Sequence, residues 1–173
     1  ERVFDQTESD LDMKLVYDVA HNIAKVEKHN VDGEERKLVV HRKGATRAFP
    51  SNRSEIPSKY RDLGQPVLVP GSMGTSSWIL LGKSNSMDLS FGSTAHGAGR
   101  TMSRSKARRN FTEDNVKKSL NDKGIFIKAL TRDGVVEETP EAYKDVDSVV
   151  NVSHNLGIAT KVAKLVPIGV IKG

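Results

Sequence analysis

Cysteine is absent from the 173 residues, which excludes a disulfide framework and any thiolate metal ligand within the chain. A metal ion bound here must therefore draw on histidine, carboxylate or another polypeptide. No apolar stretch approaches the length of a membrane span, and the amino-terminal residues lack the apolar core of a secretory signal. The expected setting is cytoplasmic, with no membrane partner. Internal repeats, low-complexity tracts and an interior linker are also missing, so the chain is expected to form part of one domain. It opens on Glu1-Arg2-Val3-Phe4 without an initiator methionine, which reads as the interior of a longer polypeptide. Positive charge is in excess. Lys and Arg number 27 against 22 acidic residues, a formal net charge of +5. That balance favours polyanionic partners such as nucleic acid or nucleotides, although a solvated basic surface accounts for it equally.

The hydrophobic pattern changes period several times along the chain. Asp10 to Val16 carries a weak helical pattern. From Asp18 the alternation is strand-like, with Val19, His21, Ile23 and Lys25 on one face. Asp32-Gly33 is a hairpin signal, and Lys37 to His41 supplies the returning strand, giving a two-stranded ribbon from about Asp18 to Lys43. Residues Gly44 to Pro66 read as a positively charged loop. Val67-Leu68-Val69 and Trp78-Ile79-Leu80-Leu81 are short strands around the turn Pro70-Gly71-Ser72-Met73-Gly74. Glu113 to Lys123 is an amphipathic helix stopped by Gly124, followed by a strand from Ile125 to Leu130. Pro140 to Leu156 holds one or two helices, and Lys161 to Lys172 alternates as a closing strand. Helices mixed with antiparallel strands predict the α+β class.

His96 has the most unusual surroundings. It lies in Ser93-Thr94-Ala95-His96-Gly97-Ala98-Gly99-Arg100, with small residues before it and glycines behind. A neutral, accessible imidazole is a capable nucleophile toward phosphorus, and flanking glycines allow a phosphate to approach the backbone. A helix beginning near Gly99 would add an anion site beside the ring. The plainer alternative is a glycine-rich turn in which His96 caps a helix. Ser103 to Asn110, with Arg104, Lys106, Arg108 and Arg109, is the densest basic run, open to either phosphate contact or ordinary helix surface. His29 and His154 read as surface residues, and His41 as a packing or hydrogen-bonding residue.

Read together, four segments in order resemble the RtcB family of RNA-splicing ligases: Asp18-Val19-Ala20-His21-Asn22, His41-Arg42-Lys43-Gly44-Ala45, Pro70-Gly71-Ser72-Met73-Gly74, and Ser93 to Arg104. The likeness continues through Tyr143 to the terminal Ile168-Gly169-Val170-Ile171-Lys172-Gly173 and is similar to the carboxy-terminal part of an archaeal member. Several ordered motifs are more specific than a lone glycine pattern.

The resemblance implies joining of RNA ends that depends on GTP and Mn²⁺. One end bears a 2′,3′-cyclic phosphate or 3′-phosphate and the other a 5′-hydroxyl. His96 would be the guanylylated residue, and His21 the metal ligand that this segment contributes. The remaining ligands, an Asp, a Cys and further histidines, would lie in a missing amino-terminal half of the same protein. The nucleotide pocket would draw on His21, Asn22, Pro70, Gly71, Ser72, Met73, Ser77, His96, Gly97, Ala98, Gly99, Tyr143 and Lys172. Tyr143 offers a ring for stacking and Lys172 a donor, while packing on the core and a frayed terminus are their plainer roles. Lys43, Arg47, Arg100 and Arg104 are the candidates for RNA phosphates. The implied partners are RNA, as tRNA halves or broken ends, and the activator archease. Without chemistry, the same charge would suit a basic RNA-binding or regulatory module, and a histidine phosphotransfer protein is a third class.

Overall fold

The Asp32-Gly33 turn places both residues at positive φ, 54° and 86°, the backbone that a tight two-residue hairpin requires. It joins β1 (Asn22–Val31) to β2 (Glu34–Lys43), antiparallel from Val31↔Glu34 out to Asn22↔Lys43. A computed structural model of the chain describes residues 5–172. The expected ribbon is thus present but starts at Asn22, not Asp18. Its partner strand ends where Gly44, at φ 68°, turns the chain away, so residues before Asn22 have no ladder to join. Tyr17 instead ties that stretch to the loop beyond, its hydroxyl accepting from Gln65 Nε2 at 3.1 Å and its ring meeting Tyr60 edge-on.

The ribbon inverts the usual arrangement. It exposes Val26 and Val39 and turns Glu27, His29 and Arg42 inward, each 5% exposed or less. The Arg42 guanidinium reaches Glu27 through two parallel bonds of 2.8 Å, donates to the Phe91 carbonyl at 2.9 Å, and bonds Ser93 Oγ at 2.8 Å. His29 Nε2 lies 3.1 Å from Glu27 Oε2. Burial alone would raise the Glu27 pKa, but the Arg42 and His29 bonds and the charges of Arg42 and Arg47 hold it below the usual carboxylate range. Two expectations are corrected here. His29 is buried, because it shares a strand face with Glu27, and His41 is exposed, because Arg42 takes the inward place next to it.

Gly44 to Pro66 is not all loop. β3 (Ala45–Arg47) pairs with β6 (Ser93–Ala95), and a 3₁₀ turn covers Ser58–Tyr60. The two expected short strands are β4 (Pro66–Val69) and β5 (Ser77–Gly82), extended into a three-stranded antiparallel sheet by β8 (Ala159–Leu165). The helices are α1 (Asn85–Ser90), α2 (Arg104–Asn110), α3 (Glu113–Asn121), α4 (Arg132–Glu137) and α5 (Val146–Asn155). Ser103, Thr112, Thr131 and Asp145 cap the last four, each side chain accepting from a first-turn N–H. β7 (Phe126–Ala129) pairs in parallel with β9 (Gly169–Lys172). Helices and strands in these proportions make the fold α+β.

Two further expectations fail. The Asp10 to Val16 pattern forms turns and extended chain: Asp12 adopts φ 49°, which breaks a helix, and Met13, Leu15 and Val16 stay 62%, 82% and 66% exposed. The closing strand is split. Pro167, with no N–H to give a ladder, separates β8 from β9, which enter different sheets. Two cores result. One contains Val67, Val69, Leu80, Ala98, Val146 and Val150, and the other Met73, Val116, Leu120, Ile125, Ile127 and Val135.

Removing Arg42 would strand the Glu27 carboxylate in the interior, so Arg42→Met should cost about 3–5 kcal/mol in chemical denaturation. The double variant Glu27→Met/Arg42→Met should cost less. The depressed pKa of Glu27 makes its contribution present above the ordinary carboxylate pKa of about 4.3 and lost as pH falls through the lowered value. The stability margin of wild type over Glu27→Gln should therefore be flat near neutrality and shrink in acid.

Candidate functional site

The short β3–β6 pair carries His96 on its end. Thr46 and Thr94 face each other in the register, and Ser93, three residues before His96, is the hydroxyl that Arg42 holds. His96 then donates its backbone N–H to the Gly44 carbonyl at 3.3 Å. Its Nδ1 lies 3.3 Å from Thr46 Oγ1, and its ring stacks on His21 with centroids 3.7 Å apart and planes within 8°. Partial burial, and then the neighbouring His21, lower the His96 pKa below the usual imidazole value. The ring is held by contacts on one face and one nitrogen, and both influences favour its neutral form.

No helix begins at Gly99. That residue turns the chain at φ 74°, and α2 starts only at Arg104, capped by Ser103. His96 is accordingly neither a helix cap nor the neighbour of a helix N-terminus, and both local expectations for it are corrected. Its loop is held instead by other loops. Ala98 N–H donates to the Pro70 carbonyl at 3.0 Å, Lys144 N–H to the Gly99 carbonyl at 2.9 Å, and Thr101 N–H to the Ala142 carbonyl at 2.8 Å. A Cβ on Gly97 would sit 3.2 Å from the Pro70 oxygen, so the two loops would have to part by a few tenths of an ångström to admit one.

The loop from Pro70 to Ser77 folds on its own hydroxyls. Ser72 N–H donates to Thr75 Oγ1 at 2.7 Å, and Gly71 N–H to Ser77 Oγ at 3.4 Å. Met73 leaves this loop for the second core while Val69, just before it, belongs to the first. Between them opens a cavity of about 230 Å³ whose walls include Pro70, Gly71, Ser72, Met73, Ser77, Tyr143 and Lys172. Seven of the residues expected around the nucleotide thus share one hollow. The others, His21, Asn22, His96, Gly97, Ala98 and Gly99, form a neighbouring group joined to it at Pro70 and Ala98.

The cavity has a member that the sequence reading passed over, Glu138. One of its oxygens accepts the Tyr143 hydroxyl hydrogen and lies 3.8 Å from Lys172 Nζ, and the other accepts from Arg100 Nη1 at 3.4 Å. Burial, followed by the Glu138 hydrogen bond and charge, raises the Tyr143 pKa and keeps the phenol protonated. Thr46 was missed as well, lying inside a stretch read as loop. In Glu137-Glu138-Thr139-Pro140 the usable signal was two adjacent acids closing a helix in a basic chain.

The four candidate phosphate contacts differ in freedom. Lys43 is exposed at the open end of the ribbon. Arg104 is 65% exposed and approaches Glu137 at 3.3 Å. Arg47 is turned inward, with Nε donating to Gln65 and Nη2 to the Glu55 carbonyl. Arg100 donates to Met102 O, Glu137 O, Glu138 and Tyr143 and lies over the Tyr143 ring at 4.9 Å. Among the described residues no group of three or more His, Cys, Asp or Glu side chains is placed to hold a metal ion. The described residues alone therefore do not assemble a manganese centre around His21. No helix among the described residues is long and apolar enough to cross a membrane.

A family model described as tRNA-splicing ligase RtcB matches residues 1–173. Curated relatives with that name include one from Archaeoglobus fulgidus, 56% identical, and one from Thermococcus kodakarensis, 54% identical, each over the whole of this chain and 36% of its own length. A third, from Pyrococcus abyssi, is 54% identical over 19% of its length. The chain therefore spans about a third of the length of the first two relatives.

At Gly71 an added Cβ would collide with the Ser76 carbonyl oxygen, which is backbone and cannot swing away. Gly71→Ala should cost about 1–3 kcal/mol by chemical denaturation. Gly97→Ala, whose contact is looser, should cost less.

Proposed function

The chain belongs to the tRNA-splicing ligase RtcB family, and from that membership we propose that it supplies the nucleophile and much of the nucleotide pocket of a GTP-dependent RNA ligase. Thr46 Oγ1 can accept from an Nδ1–H of His96, and in that tautomer the lone pair lies on Nε2. That nitrogen attacks the α-phosphorus of GTP, forming a phosphoramidate with GMP as the bond to pyrophosphate breaks. The GMP passes to the 3′-phosphate of one RNA, and the 5′-hydroxyl of another displaces it to seal the strand. Protonated imidazole leaves phosphorus readily, which suits both halves of the transfer.

The observation that carries this reading is the held, neutral His96 ring beside a cavity formed by the expected nucleotide residues. The base lies in the hollow lined by Tyr143 and Lys172. The phosphates lie toward His96, the nucleophile of the proposed transfer. Manganese would supply charge neutralisation in such a transfer; His21 would be the ligand contributed here, with the others outside this chain. Lys43 and Arg104 are the side chains best exposed to take RNA phosphates. Arg47 and Arg100 serve by holding the β3 and His96 loops in place.

Full-length protein incubated with α-labelled GTP and Mn²⁺ should acquire an acid-labile, alkali-stable label, and His96→Ala should acquire none. A label retained by His96→Ala overturns the assignment, and a label from the γ-phosphate would indicate histidine phosphotransfer instead. A wild-type protein that takes no label yet binds RNA in a salt-sensitive manner would be a non-catalytic RNA-binding module.

A further inference from the structure

Three separate stretches of chain meet at the Glu138 carboxylate: the loop after His96, through Arg100; the segment after α4, through Tyr143; and β9, through Lys172. The carboxylate is 21% exposed and forms part of the cavity wall. Its backbone N–H closes the end of α4 on the Val136 carbonyl, and its carboxylate, an acceptor, has no role in capping the helix's last carbonyls. Its bonds determine what its neighbours present. The Tyr143 hydroxyl gives its hydrogen to Glu138 and receives one from Arg100 Nη1 at 3.0 Å, so the ring cannot rotate out of the wall. Arg100 lies over that ring, its Cζ 4.9 Å from the centroid. Lys172 sits on a four-residue strand at the edge of the fold, and Glu138 is the acidic group that holds its ammonium at the cavity.

Resting on the nucleotide reading given above, we infer that Glu138 is a positioning residue for the base pocket. It fixes the stacking ring of Tyr143 and the ammonium of Lys172 together, and through Arg100 it ties that pair to the loop that carries His96. A ligand then meets a preorganised wall, and the ordering of two mobile side chains is not charged against its affinity. Without the carboxylate, Arg100 and Lys172 are left as like charges around one phenol, and the lysine turns to solvent.

The test uses full-length protein with GMP as the probe, bound at equilibrium by calorimetry, alongside label transfer from GTP. Glu138→Gln should weaken GMP binding about tenfold and raise KM for GTP in parallel, while the labelling rate at saturating GTP stays within about threefold. Lys172→Met should weaken binding too, and the double variant should be clearly less than additive, because both changes remove one contact. Tyr143→Phe, which removes only the hydroxyl that Glu138 holds, provides the reading should Glu138→Gln fail to fold, and it should also weaken GMP. Unchanged GMP affinity in Glu138→Gln or in a folded Tyr143→Phe overturns the inference. So do additive effects with Lys172→Met, or a lower saturating rate at constant KM. A wild-type protein that binds GMP but takes no label defeats the transfer reading alone, whereas one that binds no GMP defeats both.

Discussion

A buried guanidinium organises this chain. Arg42 is 2% exposed; it bonds Glu27 within the amino-terminal ribbon and, through the Phe91 carbonyl and Ser93 at the start of β6, joins that ribbon to the segment that ends in His96. A fork of donors with fixed geometry can satisfy a carboxylate and a backbone carbonyl at once, which an apolar contact could not do with the same directional precision. The interior position is expensive for a charge and is tolerated because each partner is satisfied. Its consequence is positional. The ribbon end bearing His21 and the strand bearing His96 are held as one unit, and the two imidazoles stack at 3.7 Å.

The rest of the site is a meeting of loops on two cores. Val69 and Met73 anchor the ends of one short turn in different hydrophobic clusters, so the loop between them is stretched over the junction where the cavity lies. Ala98 belongs to the first cluster and also bonds Pro70, which brings the His96 loop against that turn. Site geometry is therefore a by-product of core packing, and it is sensitive to backbone bulk at Gly71 and Gly97 more than to their local conformations. On the far side of the cavity, electrostatics takes over from packing. Glu137 and Glu138 gather Arg104, Arg108 and Arg100, so part of the basic surface is neutralised from within.

Much of this was legible in the residues, and the exceptions have identifiable causes. Asp32-Gly33, the caps at Thr112 and Asp145, and the apolar period of α3 are local signals, so the hairpin, α3 and α5 follow from them, whereas α1 and α4 were not read. The β3–β6 pair was not legible, because three-residue strands have no period to read and theirs lie nearly fifty positions apart. His29 and His41 exchanged their expected places because strand alternation was set by Arg42, a residue that composition assigns to the surface. The closing strand was read as continuous because its apolar residues run on past Pro167, and only the separate partners of β8 and β9 divide it.

For the site, sequence by itself determined which residue types were available: one histidine among glycines, a hydroxyl-rich turn, an aromatic and a terminal lysine, in an order similar to that of a known family. Those are properties of covalent chemistry and local order. Tertiary structure decided which of them meet. It set His21 face to face with His96, grouped Tyr143 and Lys172 with the Pro70 to Ser77 loop, and brought in Thr46, which no local pattern marked, and Glu138. The physical reason is that a hydrogen bond or an ion pair depends on distance in space, and the separation along the chain between Arg100 and Glu138, or between Thr46 and His96, carries no trace of it.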